Sequence, residues 1–200
     1  PYLLKYNVIK INLEGENWVR PQNPPPLEGW HKMEELLENS DNKEYMLKQV
    51  KEDGKKLEFA SDRLKNDKEL VLEALKQNGE ALEFASDKLK NDRDVIKLGV
   101  EGAPWTICYA SEKLRDDKEI MLESCKNYGQ ALYYASEDLR DDEEVVRVAV
   151  ANKGIIIKYA SYRLRDNKEI AKIAIEQDKR AYHFLTANLK NDEELKNLAK

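Results

Sequence analysis

The phrase "ALYYASEDLRDDEEVVRVAVANKG" returns, with substitutions, every 25 residues: before it stands "TICYASEKLRDDKEIMLESCKNYG", after it "IIKYASYRLRDNKEIAKIAIEQDK". A fixed period of this length means one small structural unit that packs on its own copies. Cutting at residues 29, 54, 79, 104, 129, 154 and 179 aligns seven blocks without gaps. Positions within a block are called phases here. Phase six holds Phe59, Phe84, Tyr109, Tyr134, Tyr159 and Phe184. Phase seven holds alanine from block two to block six. Phase eight holds Ser61, Ser86, Ser111, Ser136, Ser161 and Thr186, and phase eleven is leucine in all six of those blocks. Gly29, Gly54, Gly79, Gly129 and Gly154 open their blocks, and Pro104 opens block four.

Each block reads as two short helices, expected over about phases two to twelve and fourteen to twenty-four. Leu82, Ala85, Ser86 and Leu89 make an i, i+3, i+4, i+7 stripe. The second helix opens on a capping box at phases thirteen and sixteen, as in Asn66–Glu69, Asp116–Glu119 and Asp141–Glu144. The opening glycine reads as a left-handed C-cap, with Gly102 taking that role where Pro104 starts the next helix. Small residues at phases seven and twenty-one are expected to face each other across a close helix crossing. The fold class is therefore all-α: an α-solenoid of seven helix pairs over residues 29–200. Residues 29–53 and 179–200 are the terminal caps and 54–178 the five core repeats, with polar Lys32, Glu34, Lys196 and Lys200 at phases that are mostly apolar elsewhere. Residues 1–28 fall outside the period. They read as a strand or extended arm (Val8, Ile9, Ile11) and a proline-rich linker: a cap over block one, a docking arm, or the stub of an upstream domain. The chain starts at Pro1 without Met, which leaves room for such a piece, and Lys200 is expected near the end of the array.

The phrase "G-x-A-L-x-Y-A-S-x-x-L-R-D-D-x-E-V-V", best seen from Gly129 to Val146, resembles the domain-of-unknown-function 4116 family. That family consists of short helical repeats in tandem, in bacterial, protist and giant-virus proteins. The resemblance covers 54–190 well, 29–53 weakly and the arm not at all. It implies the fold and carries no catalytic residue onto this chain.

Charged residues make up 36% of the chain and the net charge is −5, so bulk electrostatics disfavour nucleic acid and anionic membrane. No apolar run approaches the ~20 residues that span a bilayer, and no basic-then-apolar leader resembles a signal peptide. Cys108 and Cys125 form no CxxC pair and read as free thiols of a cytoplasmic protein, with export by a specialised route left open. With only His31 and His183 beside them, a structural zinc site is not expected. No phosphate-cradling glycine loop, G-x-S-x-G, HExxH or EF-hand loop occurs. Asp141 to Glu144 reads as a cap rather than a cation site. The phase-eight serine has no histidine in register and reads as a mid-helix hydroxyl bonded to the preceding turn. No cofactor or catalytic set is expected.

Interaction is then the leading reading: a monomeric, non-enzymatic scaffold that binds a protein or peptide on one face. Two alternatives stand beside it. One is an accessory repeat of a larger enzyme or effector whose catalytic part lies upstream. The other is a nucleic-acid binder using the basic outer rows of the second helices (Lys43, Lys51, Lys68, Lys76, Arg93, Lys97, Lys118, Lys126, Arg147, Lys168, Lys172). A further cation row at phase twelve, Lys65 to Lys190, is expected to cap helix C-termini. Aromatic residues at phases the fold does not require are candidates for recognition. The candidate protein-binding residues are Trp105, Cys108, Tyr133, Lys158, Tyr162 and His183. The phase-five members, Cys108, Tyr133, Lys158 and His183, are expected to form one row, with Tyr162 one helical turn after Lys158. Acids at Glu58, Asp62, Glu80, Glu83 and Asp87 flank them and suit a partner with a basic segment.

Overall fold

The computed structural model describes residues 27–200, with side chains from residue 32 onward. Two compact units part between Glu38 and Asn39. In the first unit the described element is one helix, Leu27–Glu38. It runs unbroken past phases seven and eight, where block one has Glu35 and Leu36 in place of the alanine–serine pair. The arm expected over 1–28 lies outside the described residues as far as residue 26; Leu27 and Glu28 already belong to this helix.

The second unit, Asn39–Lys200, is helical throughout its ordered elements and carries the 25-residue period. Each full block has three pieces. In block two they are a 3-10 segment, Gly54–Phe59, a single α-turn, Asp62–Lys65, and a ten-residue helix, Lys68–Gln77. The 3-10 segments pack on one another in chain order, and so do the long helices, which makes an α-solenoid of two rows. The core lies between the rows. Leu82, Leu89, Val95, Ile96 and Val100 of block three are buried, and so are their counterparts Leu132, Leu139, Val145, Val146 and Val150 of block five. Burying one such side chain fully is worth about 1.5–3 kcal/mol. No block could bury its stripe alone.

Four local expectations are corrected. The first helix is not continuous from phase two to twelve. Ala60 and Ser61 adopt extended backbone (ψ 150° and 159°), so the 3-10 segment stops at Phe59 and a new turn starts at Asp62. The phase-eight serine is therefore an N-cap rather than a mid-helix hydroxyl. Ser136 Oγ accepts from Leu139 N at 3.2 Å. The same residue type also joins neighbouring blocks. Ser86 N donates to Lys65 O at 3.0 Å, and Ser86 Oγ donates to Asn66 Oδ1 at 2.8 Å. That contact uses phase thirteen, which is why the second helix is capped one residue later: Asp67 Oδ1 accepts from Leu70 N, and Asp117 Oδ1 from Ile120 N. Finally, no described glycine has positive φ, so the opening glycine is not a left-handed cap. It is a close approach. A Cβ on Gly129 would stand 2.6 Å from the carbonyl oxygen of Ala149 in the same block's long helix. Phase twenty-one is small for the same contact, and also because a Cβ on Gly99 would stand 2.8 Å from Leu82 Cδ2. Pro104 does open its 3-10 segment, as its missing N–H allows.

Candidate protein-binding face

The row of 3-10 segments positions the candidate residues. The phase-five contacts run to phase-six rings rather than along a row of phase-five neighbours. Two phase-five residues lie against the phase-six ring of the following block. Tyr133 meets Tyr159 edge-on, centroids 5.0 Å apart, and Lys158 Nζ stands 5.9 Å from the Phe184 centroid. Electrostatic influence runs the same way, from phase five to the next phase-six hydroxyl, for Cys108 on Tyr134 and Glu83 on Tyr109. The Tyr134 hydroxyl pKa is pushed up by burial and then by Cys108, and that of Tyr109 by burial and then by Glu83. Tyr133 also meets its own neighbour Tyr134 at 5.0 Å, and Lys158 lies 4.8 Å over Tyr159. Blocks five to seven thus carry a continuous run, Tyr134–Tyr133–Tyr159–Lys158–Phe184, of ring–ring and cation–ring contacts. Tyr133 is nonetheless 55% exposed.

The other candidates are placed differently. Trp105, at phase two, is 45% exposed and borders a groove with Phe84, Thr106 and Tyr109. Tyr162 is 68% exposed but is not one turn after Lys158: the chain breaks at Ala160–Ser161, and Tyr162 opens the next helix, with Arg165 5.8 Å over its ring. His183 is exposed beside Tyr182, centroids 6.4 Å apart. Cys108 is half-buried and Cys125 buried. Burial pushes the Cys108 thiol pKa up, and that of Cys125 up to about 12, so neither thiol forms a ready nucleophile. Among the described residues, no three His, Cys, Asp or Glu side chains gather as metal ligands, and no helix is long and apolar enough to cross a membrane.

Two phase-twelve cations cap carbonyls, at the end of the 3-10 segments: Lys90 Nζ donates to Glu83 O at 2.8 Å and Lys190 Nζ to His183 O at 2.7 Å. The basic row of the second helices is engaged too. Lys43 pairs with Asp67 and Glu69, Lys68 with Asp92 and Asp94, Arg93 with Asp117 and Glu119, Lys118 with Asp142 and Glu144, and Lys168 with Asp192 and Glu194, all at 2.6–3.0 Å. Every pair joins one block to the next. Sequence reasoning missed this ladder, because its partners stand 24 and 26 residues apart while each also looks like an ordinary helix-end charge. The ladder skips one junction, where Glu143 takes the cation's phase and Asn167 the acceptor's.

A family model described as "Domain of unknown function (DUF4116)" matches the chain four times in tandem, over residues 42–90, 67–115, 92–140 and 142–190. Each match opens on the N-cap residue of a long helix (Asn42, Asp67, Asp92, Asp142) and spans two junctions between blocks. The chain belongs to this family. No curated protein and no solved structure matches it.

Proposed function

We propose that this member of the DUF4116 family is a non-enzymatic scaffold that binds a protein partner on its 3-10 face. One observation carries the reading: the run from Tyr134 to Phe184 keeps Tyr133 more than half exposed at a phase that packing does not require, with Trp105 and Tyr162 exposed nearby in the array. Exposed aromatics of this kind are the usual anchors of protein interfaces. The acids Glu58, Asp62, Glu80, Glu83 and Asp87 lie in blocks two and three of the same array, which favours a partner segment with basic residues, chiefly by speeding encounter. The opposite row of long helices is less suited to phosphate, since most of its cations already hold carboxylates of the next block. Cys108 and Cys125 stand as free thiols, which fits a monomer working in a reducing compartment.

The test is a selection of random displayed peptides against the folded chain, followed by NMR mapping of the recovered peptides. The footprint should fall on 104–109, 129–134 and 154–162. A footprint on the long helices, such as 118–127 and 143–152, would move the site to the other face.

A further inference from the structure

A groove of about 230 Å³ opens between blocks two and four, lined by Lys55, Glu80, Glu83, Phe84, Trp105, Thr106 and Tyr109. It is smaller than the ~300–1,000 Å³ of typical small-molecule sites, so it suits one side chain better than a cofactor. Three of its walls are aromatic. Its charges do not cancel: Lys55 is tied to Glu80, whereas Glu83 enters no ion pair among the described residues. One face of Tyr109 is taken by Lys90, 5.3 Å from the centroid. Trp105 has no cation over it among the described residues and is 45% exposed. The groove thus joins a half-exposed indole to a carboxylate that reaches the Tyr109 hydroxyl and holds no cation among the described residues.

We infer that this groove receives an arginine side chain of the partner. A guanidinium is planar and weakly hydrated, so it can stack on Trp105 while its N–H groups reach the Glu83 carboxylate. Its aliphatic stem would lie along Phe84 and Tyr109. Lys55 does not oppose it, because its ammonium is already neutralised by Glu80. The inference rests on the scaffold reading and names the chemistry of one contact within it.

The test titrates the full chain with the capped pentapeptide Gly-Gly-Arg-Gly-Gly and with its citrulline counterpart, which keeps the shape and loses the charge. The indole N–H resonance of Trp105 is the readout. The arginine peptide should shift that resonance with a dissociation constant of order 1 mM. Citrulline, or Glu83→Gln in the protein, should weaken binding at least tenfold, and 0.5 M salt should weaken it as well. Glu83→Gln removes no ion pair, so its melting temperature should match the parent. Equal binding of the two peptides, or no shift of Trp105 with either, overturns the inference. That result leaves the scaffold reading standing or falling on the peptide selection, whose footprint includes blocks five and six.

Discussion

At the scale of single residues, the opening glycine is conserved in phase because of space, not backbone handedness. Its φ is negative, and its Cα lies under a carbonyl of the long helix of its own block. The two explanations predict opposite rankings. A left-handed cap tolerates asparagine better than alanine; a close approach tolerates the smaller side chain better. Gly129→Ala should therefore cost about 1–3 kcal/mol, as overpacking does, and Gly129→Asn more, both read from chemical denaturation. The phase-eight serine teaches the same lesson. Its short side chain and its position in an apolar stripe were plain in the sequence. Its role was not, because the group it bonds stands 20 residues upstream, as Asp116 does for Ser136 and Asn66 for Ser86. A local pattern holds no trace of such a partner.

At the scale of elements, the period, the leucine and aromatic phases and the two rows were legible, since each follows from apolar spacing. The break within the first helix was not. A 3-10 segment, two extended residues and one α-turn place Leu132, Ala135 and Leu139 inward much as one helix would. The cap position was ambiguous for a related reason: phases thirteen and fourteen are both Asp or Asn in blocks two to seven, and only the stacked neighbour decides which one caps. The ladder between elements also sets a pH dependence. Arg93 holds the Asp117 carboxyl below its usual range, and Ser161 with Arg163 does the same for Asp141. Their folded pKa values lie below the unfolded ~3.9. The stability they give is present above that value and is lost as pH falls through the folded values. Lys68 and Lys118 are shifted the other way, raised chiefly by hydrogen bonds to Asp92 and Glu144. Their contribution is present below the unfolded ~10.4 and is lost as pH rises through the folded values. The melting temperature should therefore be flat between about pH 5 and 9.5 and fall on both sides, with 0.5 M salt lowering the plateau. A melting temperature that rises as pH drops from 5 to 3 would contradict the ladder.

At the scale of the whole array, the long-helix row and the 3-10 row divide two tasks. The first is bound to itself from block to block by ion pairs, whereas the second leaves side chains exposed whose identity changes along the chain: acids at Glu58 and Glu83, then Cys108, Tyr133, Lys158 and His183. Phase six is aromatic in blocks two to seven whereas phase five varies, and on the proposed reading the aromatic of block five serves a partner. The central claim is therefore that Tyr133 and Tyr162 serve recognition rather than folding. The direct measurement is the double variant Tyr133→Ala, Tyr162→Ala, melted and titrated with the selected peptides in parallel. Because both rings are mostly exposed, the variant should melt within about 5 °C of the parent. It should bind at least tenfold more weakly, a loss of about 1.4 kcal/mol or more. A variant that melts far lower would make the tyrosines part of the core. One that is stable and binds like the parent would place recognition elsewhere on the array.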